Sequence, residues 1–406
     1  MDKKRILFVD DEQNILDGLR RMLRSLRNEY EMHFACSGRE ALEIMATLRF
    51  DVVVSDMRMP GMDGAELLGT LQKQYPHTIR IMLTGQADEE SILRTVGVVH
   101  QFLAKPCDPE ILKMVLLQTS ALQDMLSDGG LKNLISQIGT LPSLPSTYAK
   151  LRQAIASPHV DISEISAIVE QDIAMSANIL HLVNSAFFGL YSRVHSPGRA
   201  VQLLGLETLK TLVLGVEIFT QLKVPKELIQ INKLWAHSLA IGNMAKAVAG
   251  EESSDKDLIN NSFIAGILHD VGRLILVSQL PEQYLQVVEL TKDPDIPIQT
   301  AEKAVFGTSQ SVVGSYLMGL WGFTGPVIEA IGFHYMLDKY PANSFTPALA
   351  VHIANVFYYR HHPEEIIGRY PELHLPSLER LGLQQKIAVW EKICSPIVLL
   401  DLEESI

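Results

Sequence analysis

Cysteine is scarce in this 406-residue sequence: Cys36, Cys107 and Cys394 stand far apart, with no CxxC pair. An odd, scattered set builds neither a disulfide framework nor a zinc ribbon, and reads as a reduced, cytoplasmic pattern. Basic charge is also short. Lys and Arg number 35 against 47 Asp and Glu, a net charge of −12, with 15 against 19 up to Met125 and 20 against 28 beyond it. Neither half supports nonspecific binding to nucleic acid or to an anionic membrane. No uncharged apolar run reaches the ~18 residues of a membrane span, and Ile6–Val9 is too short for a signal-peptide core. The chain is expected to be soluble and intracellular. Internal repeats, low-complexity tracts and a Walker loop are missing as well.

What the sequence does have is apolar material, 47% of residues against 20% charged. That excludes a disordered chain and suffices for sizeable cores, and the length calls for two or three domains. Up to about residue 126, short apolar runs alternate with amphipathic stretches. The runs are Arg5–Val9, Met32–Ala35, Val52–Ser55, Ile79–Leu83 and His100–Leu103, with helical patterns near 13–27, 38–48, 64–74, 88–96 and 108–126. Runs such as Val52-Val53-Val54 do not alternate with polar residues, so both faces are buried, as in a parallel sheet. Five βα units predict an α/β doubly wound, flavodoxin-like domain with strand order 2-1-3-4-5. Ligands of such a sheet gather beyond the carboxyl ends of its strands.

Those ends carry chemistry. Asp10, Asp11 and Glu12 follow the first strand, Asp56 ends the third, Thr84 the fourth, and Lys105-Pro106 the fifth. Crowded carboxylates repel one another and favour a hard divalent cation with oxygen ligands, best matched by Mg²⁺. Asp56 could attack phosphorus and form an acyl phosphate, with Lys105 neutralising the transferring oxygens and Thr84 donating a hydrogen bond. Paired Asp residues after a strand also serve as plain helix caps; coincidence at four strand ends is what favours a site.

The strings VDDE, SDMRMPGMDG, LTGQAD and FLAKP resemble the receiver domain of two-component response regulators over the whole of 1–126. The resemblance implies that Asp56 accepts a phosphoryl group from the phosphohistidine of a sensor histidine kinase. It also implies that Asp11, Asp56 and the backbone carbonyl of Arg58 hold Mg²⁺ with help from Asp10, that Thr84 and Phe102 are the switch pair, and that Lys105 precedes a cis-proline.

Near Gly129 the pattern changes to helical periodicity, after a helix stop at Ser127-Asp128-Gly129-Gly130. Helices are predicted over Leu206–Leu222, Leu228–Ala249, Leu258–Ser278, Gln310–Trp321, Pro326–Tyr335, Ala348–Arg360 and Gln384–Ile393. This part contains His237, His269-Asp270, His334, His352 and Asn355. A lone His in an apolar helix is usually a hydrogen-bonded core residue. Imidazoles and a carboxylate from separate helices are nevertheless what a metal site inside a bundle requires.

The strings LPSLPSTYAKL, IVEQDIAMSANILHLVNSAFFG, AVQLLGLETLKTLVLG, LWAHS, GILHDVGRL and VGSYLMGLWGF resemble the HDOD output domain, a relative of the HD-superfamily phosphohydrolases. The resemblance implies an all-α HD-like fold and a signalling module without established catalysis. Its vestigial site would comprise His237, His269, Asp270, His334 and Asn355, with a divalent metal held weakly. Asn355 stands where the hydrolases have Asp, Gln310 where a His is expected, and the glycines of the cyclic-dinucleotide phosphodiesterase signature are missing after His334-Tyr335-Met336. An amide in place of a carboxylate weakens the hold on a cation, and without a metal no water is acidified.

The expected division is a receiver at 1–126, a hinge at 127–130, an HDOD domain at 131–362 and a helical extension at 363–406. The expected function is a phosphorelay response regulator acting through a protein partner, with no nucleic-acid or membrane partner. A phosphorylation-regulated HD-type phosphohydrolase is the alternative; a transcription factor finds no basic recognition helix. The last receiver helix, 108–126, carries more apolar surface than one sheet face needs. It should therefore pack on the helical domain or on a second receiver in a homodimer.

Overall fold

The computed structural model describes the chain apart from residues 1–2, 86–94, 96, 126–128, 139, 144, 158–160, 185–193, 211–212, 214–219, 222–231, 294, 341, 364–371 and 405–406. Strands β1 (Lys4–Val9), β2 (Tyr30–Ala35), β3 (Val52–Asp56), β4 (Ile79–Thr84) and β5 (Gln101–Ala104) form one parallel sheet in the order β2-β1-β3-β4-β5. Every residue of β3 and β4 is buried, as unalternating apolar runs require. Helices Gln13–Met22, Gly38–Thr47, Gly64–Gln74 and Pro109–Met125 accompany the sheet. Three of them start at side-chain caps: Ser37 accepts from the Glu40 amide, Asp63 from the Glu66 amide, and Asp108 from the Glu110 and Ile111 amides. The helix expected at 88–96 lies, apart from Thr95, outside the described residues.

Among the described residues the second half is helical, apart from a pair of two-residue strands, Pro142–Ser143 and Thr220–Gln221, which the sequence reading did not anticipate. Helix Asn232–Glu252 packs against Lys256–Leu268 and Pro347–His361, while Val271–Gln279 packs against Gln310–Leu320. Two helices differ from expectation. The stretch read as one helix over 258–278 breaks at His269-Asp270, where Asp270 leaves helical geometry at φ −103° and ψ 12°. The segment read as a helix over 206–222 is described as Pro197–Lys210, interrupted at Gly205 with φ 73°, and then the strand Thr220–Gln221. Among the described residues no single helix is long and apolar enough to cross a membrane.

The halves are joined by more than a tether. Gly129 and Gly130, expected in a hinge at 127–130, form the first turn of a helix, Gly129–Ser136; Ser127 and Asp128 lie outside the described residues. The Ser136 carbonyl accepts from Arg80 Nη2 at 2.8 Å and faces His100 Nε2 at 2.8 Å. Because His100 Nδ1 accepts from the Arg80 amide at 2.9 Å, the ring proton sits on Nε2, which donates to Ser136. Burial, then the Arg80 charge, push His100 well below the usual imidazole range and keep it neutral. Helix Gln310–Leu320 also reaches the receiver, packing on helix Pro109–Met125.

Candidate functional site

Strand order brings four of the expected residues together at the carboxyl rim of the sheet. Lys105, directly after β5, sets Nζ 2.7 Å from Asp10 Oδ2 and also pairs with Asp56 Oδ1. Asp10 and Asp56 are buried and Asp11 is exposed. Burial disfavours the Lys105 ammonium, but the hydrogen bonds it donates to Asp10 and Asp56 outweigh that and hold its pKa above the ordinary value. The backbone fixes both carboxylates: Glu12 N donates to Asp10 Oδ1 at 3.0 Å, and Arg58 N to Asp56 Oδ2 at 2.9 Å. Thr84 is buried at the end of β4, beside Ala104 in the register, while Phe102 pairs with Met82 and is buried. The Lys105–Pro106 bond is cis. Asp10, Asp11 and Asp56 set against Lys105 leave two negative charges at a rim open to solvent on the Asp11 side. That balance and an all-oxygen donor set suit a divalent cation such as Mg²⁺.

Gly64 explains the glycine in MDG. Its amide donates to the Met57 carbonyl at 2.9 Å, and a Cβ there would lie 2.1 Å from the Asp56 carbonyl oxygen. Only glycine lets the next helix start so close to the acidic strand end.

The second cluster gathers where the helix breaks. His237, His269 and Asp270 are buried, with ligand-type atoms all within 4.8 Å of one another. His269 Nδ1 faces the Gly266 carbonyl at 2.7 Å, so it carries the proton, and Nε2 meets His237 Nε2 at 3.1 Å. His334 lies beside His269, ring centres 5.2 Å apart, with its Nδ1 bonded to the Ile331 carbonyl at 3.0 Å. Burial foremost, then His269, pull His334 down to about 3 and His237 well below the usual range. Asn355 is buried and turns its amide nitrogen back to Val351. His352 bonds the His334 carbonyl at 2.8 Å through Nδ1, a core arrangement outside the cluster.

Sequence reasoning missed the groups that hold Asp270. Arg273 Nη1 lies 3.0 Å from Asp270 Oδ2, and Gln310 Nε2 donates to Asp270 Oδ1 at 2.7 Å. Burial alone would raise the Asp270 carboxyl; Arg273, then His269, hold it below the usual carboxylate range. Glu302 accepts the Gln310 amide at 2.9 Å, and burial pushes its carboxyl up to about 7. Arg273 was visible in GILHDVGRL, three residues past Asp270 and one helical turn away. Among the described residues the buried acceptors His334 Nε2 and Asn355 Oδ1 have no hydrogen-bond partner. The imidazoles could ligate a metal, but the Asp270 carboxylate beside them is already paired with the Arg273 guanidinium.

The fold and the acidic rim define a response-regulator receiver type of protein, and comparison with known families agrees. The response regulator receiver domain model matches residues 6–116 and the HDOD domain model residues 141–337. The chain is a receiver domain followed by an HDOD domain. An uncharacterized protein of Treponema pallidum is 28% identical over 261 residues, which are 64% of this chain and 48% of that protein. The hydrogenase transcriptional regulatory protein HoxA of Cupriavidus necator is 31% identical over 125 residues, 30% of this chain and 25% of HoxA. The sensor kinase CckA of Brucella abortus is 44% identical over 123 residues, 29% of this chain and 13% of CckA. The chain thus spans half or less of these relatives. Among solved structures, the MmoQ response regulator of Methylococcus capsulatus is 23% identical, covering 62% of this chain and 98% of that one at a TM-score of 0.46. The signal receiver domain of an HD domain-containing protein from Pseudomonas fluorescens is 35% identical, covering 31% and 100%, at a TM-score of 0.30.

Proposed function

We propose that this protein is a phosphorelay response regulator in which Asp56 accepts a phosphoryl group from a sensor histidine kinase and thereby switches a noncatalytic HDOD module that acts on a protein partner. The reading rests on one observation above all: Lys105 bridges Asp10 and Asp56 at the sheet rim, where a phosphoryl group on Asp56 would meet an ammonium already in place. Asp56 Oδ attacks phosphorus as the P–N bond to the kinase's phosphohistidine breaks and the imidazole leaves; Lys105 moves from carboxylate to phosphoryl oxygen, and the Thr84 hydroxyl donates to a second oxygen. Asp11, Asp56 and the Arg58 carbonyl, with Asp10, would hold Mg²⁺, which when bound neutralises phosphoryl charge.

The second cluster supports the reading of the output side. Asn355 and the Arg273-paired Asp270 favour protein binding over hydrolysis by an HD-type metal site. The working division is a receiver at 1–126, an HDOD domain at 131–362 and a helical extension beyond, in a cytoplasmic protein. Incubation with acetyl phosphate and Mg²⁺ tests the acceptor: one phosphate per chain is expected, and none in Asp56→Asn. Label retained in that variant overturns the assignment.

A further inference from the structure

Asp270 is neutralised from within the fold. Arg273 Nη1 stands 3.0 Å from one oxygen and Gln310 Nε2 donates to the other at 2.7 Å, and Asp270 and Arg273 are both buried. The reach of Gln310 depends on Gly272, where a Cβ would lie 1.8 Å from the Gln310 carbonyl oxygen. Glycine at that position lets helix Gln310–Leu320 close on the helix break and deliver its first residue to Asp270.

Charge counting then separates this cluster from the receiver rim. Around Asp270 the imidazoles and Asn355 are neutral, so one carboxylate meets one guanidinium and the sum is zero. A divalent cation among them would add two positive charges to a buried interior, where uncompensated charge is costly. Even an ionised Glu302 would offset only one of them.

We propose that the Arg273 guanidinium is the resident cation of the HD-like site: it takes the electrostatic place of a metal ion, keeps His237, His269 and Asp270 free of metal, and turns the cluster into a structural knot. The proposal rests on the noncatalytic reading of the same site and names the residue that enforces it.

The test uses the full chain in an Asp11→Asn background, so that the receiver rim contributes little metal binding. Metal content after equilibration with Zn²⁺ or Mn²⁺ and dialysis, and the melting midpoint with and without each ion, are compared with those of R273M. The parent should retain no stoichiometric metal and show no midpoint response. R273M keeps the apolar bulk but leaves Asp270 uncompensated. It should melt lower, recover with metal, and bind one ion per chain about 10- to 100-fold more tightly than the parent, the range seen when groups behind metal ligands are changed. Adding His269→Ala should abolish that gain.

A parent that holds one metal through His237 and His269 overturns the proposal, as does a folded R273M without added affinity. If R273M does not fold, D270N/R273M decides between charge and packing. Should the double variant fold while metal fails to rescue R273M, a metal cannot replace the guanidinium and the proposal falls. Should the double variant also fail, Arg273 acts through packing and the proposal falls again. Nucleotide hydrolysis by metal-free protein would overturn the proposed function alone; metal bound without hydrolysis would overturn this inference alone.

Discussion

The Gln101 side chain on β5 of the receiver donates to the carbonyl of Gly319 in the HDOD domain at 3.0 Å, 218 residues away in sequence. Gln101 immediately precedes Phe102, which we propose as one of the switch pair, and movement of that residue would then reach helix Gln310–Leu320 through this bond.

Gln101→Ala should therefore loosen the domain contact at a cost of about 1 kcal/mol, the net worth of a typical hydrogen bond. Amide exchange at 316–323 should rise, and the scattering change induced by beryllofluoride should shrink. Identical exchange and scattering in wild type and variant would remove Gln101 from the coupling.

Lys105→Met should leave Asp56 in place but slow phosphorylation by acetyl phosphate roughly 100-fold, the usual loss when one preorganised charge-stabilising group is removed. Initial labelling rates at saturating Mg²⁺ measure it; a rate within twofold of wild type would contradict the bridging role.

Gly64→Ala forces a Cβ against the Asp56 carbonyl, 2.1 Å away without relaxation. We expect a loss of about 1–3 kcal/mol, the range for overpacked sites, together with reduced labelling of Asp56. Thermal denaturation and phosphate incorporation report the two effects separately.

Much of the receiver was legible because its signal is local. Unalternating apolar runs gave β3 and β4, and carboxylates placed just after strands gave Asp10 and Asp56. The helical half was less legible where tertiary contacts decide. The apolar pattern runs unbroken from Leu258 to Ser278, and the break at His269-Asp270 accompanies pairing with Arg273 and with Gln310, forty residues on. Gly129-Gly130 reads as a helix stop because glycine is a poor helix former, yet the helix they open is docked on Arg80 and His100. Arg80 itself sits in an apolar strand with its guanidinium bonded to carbonyls from three places in the chain, and no local pattern announces that.

Glu302 supplies a pH prediction. Its folded pKa of about 7 stands above the ordinary 4.5, raised first by burial and opposed by the Gln310 amide and Arg273. Between those values the folded state binds more protons than the unfolded state, so stability falls as pH rises from about 4.5 to 7 and levels off above. The full effect is of order 3 kcal/mol at most, at 1.36 kcal/mol per unit. Glu302→Gln retains an acceptor for the Gln310 amide and should flatten that slope and stabilise the protein above pH 7. Urea denaturation across pH 5–8 checks it; an unchanged slope would show that Glu302 is not the group responsible.

The Ser136 carbonyl, gripped by Arg80 and His100, bears on how far these two domains can be treated as interchangeable parts. A receiver cut after Met125 would lose an acceptor for a guanidinium that burial already pushes down to about 10, and would lose the partner of the His100 proton. Grafting this HDOD domain onto another receiver therefore requires transplanting Arg80, His100 and helix Gly129–Ser136 together, because the boundary of the working unit runs through the receiver's fourth strand and the residue before its fifth rather than between the domains.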